Sequence, residues 1–235
     1  MRTKLFICTV WVLLILWVAT PTAFGQILNP RVTISGAGSF LRGERSFVLG
    51  GETFNTQFAN AGRAKARLTL DLTKHFSIEG VYGFGTSNLR VTEQGGTPTQ
   101  RAFGIRQHEI QFNILHFFSL GTRRVRPFLT TGVGALRFDP TDQAKALAAA
   151  NDFLDAPAQL SSTNQVHFAI GGGIEGRFSR WLGLRLDVKD HISAIPRFGV
   201  PQTTSGPGGA SYPVDGIVHN IQAEAGIVFY LLPLP

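Results

Sequence analysis

Three places along this chain carry residue types that could do chemistry. The first is Gly171-Gly172-Gly173-Ile174-Glu175-Gly176, which matches the G-x-G-x-x-G spacing of a phosphate-cradling loop. That chemistry needs the glycines at a turn between a strand and a helix, where backbone N–H groups face the phosphates. Here they lie within an alternating run that continues into Arg177-Phe178, so close backbone packing within a strand is the better reading. The second is a pair of triplets, His75-Phe76-Ser77 and His191-Ile192-Ser193. Residues two apart on a strand share a face, and a histidine beside a serine can activate it as a nucleophile. The third is Asp139, Asp142, Asp152 and Asp155, whose spacing fits no calcium cage and reads as solvated loop carboxylate. The six histidines form no i, i+2 or i, i+4 pair. On this reading no catalytic residue, cofactor site or metal site is expected.

The elements that would carry these residues are strands. In the segment 63–73, Arg-Ala-Lys-Ala-Arg-Leu-Thr-Leu-Asp-Leu-Thr, polar residues take every odd position and Ala or Leu every even one. Such alternation gives a strand one polar and one apolar face, whereas a helix would scatter the charges. The same pattern recurs with Phe76, Ile78, Tyr82 and Phe84, with Ile110, Phe112 and Ile114, and with Val166, Phe168, Ile170 and Ile174. It returns with Leu182, Leu184, Leu186 and Val188, and with Ile221, Ala223, Ala225, Ile227 and Phe229. Segments 31–41 and 125–138 are strand-like with less regular alternation. The pattern predicts eight strands, most of them long enough to cross a membrane at a tilt, for which roughly 9–11 residues suffice.

The connections alternate in length. Long segments at 42–62, 87–106, 139–164 and 193–216 are separated by short turns near Lys74 and His75, at 119–124 and at 179–181. All long loops therefore fall at one end of the sheet, with both termini at the other. In 142–154 the run of alanines preceded by Thr141 or Asp142 as N-cap predicts a short helix.

The N-terminus reads differently. Arg2 and Lys4 precede an apolar run at 5–19, Pro21 follows, and Ala23-Phe24-Gly25 offers a small-residue cleavage site. This predicts a secretory signal peptide at 1–25 and a mature domain at 26–235. Fifteen apolar residues are short for a helical span, which needs roughly 20. The one cysteine, Cys8, would leave with the signal, so no disulfide is expected in the mature chain. Its loss lowers the net charge from +7 to +5. The charge is spread, with no Lys/Arg run longer than Arg123-Arg124, so no nucleic-acid partner is expected; a basic chain suits an anionic lipopolysaccharide surface.

A soluble barrel would turn its apolar face inward and a membrane barrel would turn it outward. The polar faces collect Arg63, Lys65, Arg67, Arg177, Arg185 and Lys189 together with Asp71, Glu79, Glu109, Glu175, Asp187 and Glu224, as many acidic as basic groups. Balance suits a lumen, because an unpaired interior charge costs several kcal/mol. These residues are expected to form an ionic network that closes a narrow barrel. If Phe178 opposes Leu182 across the 179–181 turn, Glu175 opposes Arg185, and the two are expected to pair. Phe76, Phe117, Phe118, Phe128, Phe178, Trp181, Phe229 and Tyr230 fall near one rim and Phe40, Phe84, Phe138 and Phe168 near the other, as two interfacial girdles would.

Arg126-Pro127-Phe128 leading into Gly132-Val133-Gly134, and the later Arg185-Leu186-Asp187-Val188-Lys189-Asp190, are similar to strands of the small OmpA/OmpX-type outer-membrane barrels. The resemblance covers about residues 31–230. It implies an all-β, eight-stranded antiparallel up-and-down transmembrane β-barrel behind a cleavable signal peptide, in the outer membrane of a Gram-negative bacterium, with periplasmic termini. It further implies a monomer without a peptidoglycan-binding domain, surrounded by outer-membrane lipid and lipopolysaccharide and inserted by the barrel assembly machinery. Family members often end on an aromatic residue, whereas here Leu231-Leu232-Pro233-Leu234-Pro235 follows Phe229 and Tyr230. The expected role is structural or surface-interacting. The alternatives are a narrow channel or carrier, and a lipid-modifying enzyme. The second would resemble the barrels that deacylate lipid A with a lipid-facing His, Ser and carboxylate, and would need His191 and Ser193 turned toward lipid.

Overall fold

The alternating segments become the staves of a closed sheet. The structure is a computed structural model and describes residues 29–42, 45–49, 52–58, 61–94, 100–118, 124–150, 161–194 and 217–232. The apolar run at 5–19 and the proposed cleavage site lie outside them. Ten strands are formed: β1 (Pro30–Arg42), β2 (Arg45–Leu49), β3 (Glu52–Phe58), β4 (Ala61–Asp71), β5 (Phe76–Gln94), β6 (Gln100–Phe117), β7 (Val125–Pro140), β8 (Thr163–Arg177), β9 (Leu182–Ala194) and β10 (Ile217–Tyr230). Eight of them, β1 and β4 to β10, pair antiparallel with their neighbours around a ring that β1 and β10 close. Arg31 faces Tyr230 and Thr33 faces Val228 at that seam. Closure leaves the ring no free edge, which is what lets a sheet sit in lipid with its backbone satisfied.

Two long connections are more ordered than their composition suggests. The segment 42–62 holds the hairpin β2–β3, and β3 adds to the far end of β5 through pairs from Thr53 with Gln94 to Phe58 with Leu89. Leu49 pairs with Glu52, and the two glycines between them in the sequence are a hairpin signal. Most of 87–106 is also strand, because β5 and β6 stay paired out to Thr92 and Gln100. The strands of this pair run to 19 and 18 residues, beyond what a bilayer needs. The helix α1 (Asp142–Ala150) follows β7, and Thr141 caps it: the Ala144 N–H donates to Thr141 Oγ1 at 3.2 Å. No helix among the described residues is long and apolar enough to cross a membrane, which says nothing of strands.

The faces are inverted relative to a soluble barrel. Phe112 is 68 % exposed and Ile110, Leu68, Val133, Ile170 and Val188 are at least half exposed, all pointing outward. Arg31, Arg185, Lys189, Glu79 and Glu109 are almost completely buried, all pointing inward. Phe118, Phe178, Trp181 and Phe229 face outward at the short-turn rim, and Phe84 and Phe168 near the other. Phe117, Phe128 and Tyr230 depart from the girdle expectation: they turn inward and are nearly buried, as does Phe138 at the other end. Phe40 is among the residues whose side chains are not described. The reason is parity: Phe117 and Phe128 are directly paired across β6 and β7, so their rings meet on the same inner face, 5.4 Å apart.

Candidate functional site

The lumen is filled by charged side chains from every side of the ring. Nearest the short turns, Asp71 pairs with Arg31 and lies 3.9 Å from Arg126, and it accepts a 2.5 Å hydrogen bond from Ser77. Glu175 lies 3.2 Å from Arg31 and 2.8 Å from Arg126, and accepts a 3.0 Å bond from the Tyr230 hydroxyl. Both guanidinium groups stack over the Phe117 ring, at 5.2 and 4.4 Å.

The next tier is the most densely paired. Glu79 on β5 accepts from Arg185 on β9 at 2.5 Å, straight across the barrel. It also accepts from Thr69 at 3.1 Å and Asn113 at 2.9 Å, with Lys189 at 3.8 Å and Arg67 at 3.9 Å. Asp187 holds Arg185 at 2.9 Å and has Arg67 and Lys189 at 3.8 Å. Glu224 pairs with Arg67 and lies 2.9 Å from Lys65. Room for these chains comes from glycine. A Cβ on Gly171 would lie 2.8 Å from Lys189 Cγ, and one on Gly173 would lie 2.6 Å from Asp187 Cβ. The glycine run in β8 therefore packs against its neighbour strand and opens no phosphate loop.

Toward the long loops the tier changes character. Glu109 meets Arg63 at 3.0 Å and Lys65 at 3.2 Å, and Arg63 also donates to Gln107. His191 Nδ1 lies 3.6 Å and His167 Nε2 3.9 Å from Glu109 Oε1. The two imidazole rings are 5.0 Å apart and buried. Neither ring nitrogen of either histidine has a hydrogen-bond partner.

No protein-family model and no curated sequence matches the chain. Solved structures do. The outer membrane protein OprG from Pseudomonas aeruginosa is 13 % identical, with a TM-score of 0.55 over 87 % of this chain and 97 % of that one. The chain has the fold of the small outer-membrane β-barrels. Neisserial surface protein A is also similar, at 8 % identity and a TM-score of 0.49, covering 86 % of this chain and 97 % of that one.

Within this barrel the twelve lumen residues named from sequence sort into two groups. Arg63, Lys65, Arg67, Asp71, Glu79, Glu109, Glu175, Arg185, Asp187, Lys189 and Glu224 all reach the lumen and meet opposite charges there. Arg177 sits elsewhere: it is half-buried, donates to the carbonyls of Ser179 and Arg180, and lies 4.0 Å over the Tyr230 ring. It holds the 179–181 turn instead of a carboxylate. Glu175 and Arg185 are paired in register, yet their carboxylate and guanidinium take other partners. Arg31 and Arg126 supply Glu175, and both lie in the two strands whose alternation was hardest to read. Arg31, Thr33 and Ser35 do alternate with Val32 and Ile34, and that was the available signal.

The histidines show what linear spacing misses. His167, on β8, and His191, on β9, lie on polar faces, but only the ring brings them to Glu109 on β6. His191 faces inward, so the lipid-facing geometry a deacylase would need is not the one present. His75 caps a turn instead, its Nδ1 3.1 Å from the Phe117 carbonyl oxygen. Of the loop aspartates, Asp139 bonds Arg137 at 3.0 Å and Asp142 lies 3.8 Å from Lys145, while Asp152 and Asp155 fall outside the described residues.

Proposed function

We propose that this protein is an outer-membrane barrel of a Gram-negative bacterium whose lumen is sealed by its own ionic network, and that it serves a structural or surface-interacting role. The observation that carries this reading is the Glu79–Arg185 pair with Asp187, Lys189 and Arg67 packed around it, joining β4, β5 and β9 across the barrel. An eight-stranded interior is about wide enough for side chains to fill, and these fill it. In this reading the mature domain is 26–235, and the short-turn end with both ends of the ring faces the periplasm. The ordered β2–β3 hairpin and the extended β5–β6 pair project from the other side. The apolar outer wall meets lipid, with lipopolysaccharide as the outer leaflet and the barrel assembly machinery as the route of insertion. The membrane-spanning ring has no edge to pair, which supports a monomer within the bilayer; β2, outside the ring, keeps one open edge among the described residues.

Planar-bilayer recording tests the sealed lumen. The refolded protein is expected to show no steady conductance, and a reproducible ohmic step in the wild type would overturn the reading in favour of a narrow channel.

A further inference from the structure

We infer that the long-loop half of the lumen holds a binding site for a borderline-soft divalent transition metal, of the zinc and copper class, with Glu109, His167 and His191 as its protein ligands. The three side chains each offer one donor atom, and these atoms all lie within 4.8 Å of one another. Donors around one tetrahedral ion at bond lengths of about 2.0–2.2 Å sit roughly 3.3–3.5 Å apart. The Glu109–His191 and Glu109–His167 separations of 3.6 and 3.9 Å lie close to that, and the two histidine donors are within 4.8 Å of one another. Two imidazoles and one carboxylate are a donor set that suits zinc and copper.

A second observation points the same way. Buried imidazoles ordinarily place both nitrogens in hydrogen bonds. Here both nitrogens of both rings have no hydrogen-bond partner, although the residues around them are rich in donors and acceptors. The room is also built into the wall. Gly134 on β7 lies directly beside His167, and a Cβ there would come within 2.5 Å of His167 Cε1 and 2.8 Å of its Nε2. Gly83 on β5 does the same beneath Glu109, where a Cβ would lie 3.3 Å from Glu109 Cβ and 3.4 Å from Lys65 Cγ.

Charge opposes the ion and defines which group it must displace. Arg63 holds Glu109 Oε2, leaving Oε1 as the oxygen nearest both histidines. Lys65 sits 3.2 Å from Oε1 and is the competitor. It has other partners, Gln222 at 2.6 Å and Glu224 at 2.9 Å, so it can release Glu109 without being left unpaired. Lys65 lies equally close to Oε2, at 3.2 Å, so the metal and the Lys65 ammonium compete for the Glu109 carboxylate as a whole.

The test uses the full mature protein without a histidine tag, refolded into detergent, with Cu²⁺ as the spectroscopic probe and Zn²⁺ as competitor. One equivalent of Cu²⁺ is expected to bind with an electron paramagnetic resonance signal split by two imidazole nitrogens, and Zn²⁺ should displace it. His167→Leu and His191→Leu should each weaken binding by about 100-fold or more, since even outer-shell losses cost 10–100-fold. Lys65→Met should tighten it, and this variant keeps both histidines, so it decides the matter alone if a histidine variant does not refold. His219→Leu, on the outer wall, should change nothing. No stoichiometric uptake by folded wild type, the same signal in either histidine variant, or unchanged or weaker uptake in Lys65→Met would each overturn the site. A sealed but metal-free lumen would leave the conductance result standing, so the two readings fail separately.

Discussion

The two halves of this lumen share their charged residue types and differ in what stands beside the carboxylates. In the short-turn half, Asp71, Glu175, Glu79 and Asp187 each face at least two cations, and Phe117, Phe128 and Tyr230 close around them. In the long-loop half, Glu109 faces Arg63 and Lys65, while two buried histidines contribute four ring nitrogens with no partner. Charge alone does not separate the two regions. The kind of unbonded atom does: in the short-turn half these atoms belong to ions with charged partners, whereas the long-loop half adds imidazole nitrogens whose donor atoms converge on a small volume.

The comparison predicts unequal sensitivity to substitution. The largest effect belongs to the short-turn half. Glu79→Gln leaves Arg185, Lys189 and Arg67 short of a carboxylate, and removing one partner of a buried pair typically costs about 3–5 kcal/mol. Urea unfolding from lipid vesicles should show a loss in that range; a loss below about 1 kcal/mol would mean that the network is not what makes this half rigid. The wall comes next. Phe112→Arg places a charge on the most lipid-facing part of β6, where a cost of about 2–4 kcal/mol is expected at mid-membrane. Equal vesicle insertion of variant and parent would reverse the assignment of inside and outside on which the comparison rests.

A smaller effect tests which partners matter. Arg31→Met and Glu175→Gln should be non-additive, with a coupling of about 0.5–3 kcal/mol, because they share one ion pair. Glu175→Gln and Arg185→Met should lie closer to additivity, since each keeps its own main partners. The reverse order would restore the cross-strand pair that register alone suggests. The smallest effect belongs to the long-loop half. In metal-free protein, His191→Leu should change unfolding stability by less than about 1 kcal/mol, because an imidazole without hydrogen bonds gives up little when replaced by an apolar group. A loss like that of Glu79→Gln would show the histidines to be structural members of the network.

Sequence alone decided the period of the strands and which neighbouring residues share a face. The alternation at 63–73 places Arg63, Lys65 and Arg67 on one face and Leu68 and Leu70 on the other, and parity is a local property of an extended chain. It also decided the alternating turn lengths and the Thr141 cap of α1. The segment 42–62, expected as a long connection, holds the β2–β3 hairpin, and its Gly50-Gly51 pair is a turn signal present in the sequence. Tertiary structure decided who meets whom. Parity says that Glu175 and Arg185 look inward, but a ring brings eight strands to one axis, so each inward charge chooses among partners on the far wall as well as beside it. Glu79 finds Arg185 across 106 residues of chain, Glu175 finds Arg31, and Glu109 finds two histidines from strands it does not touch in the ladder. Those distances depend on closure and stagger of the ring, which no local period encodes.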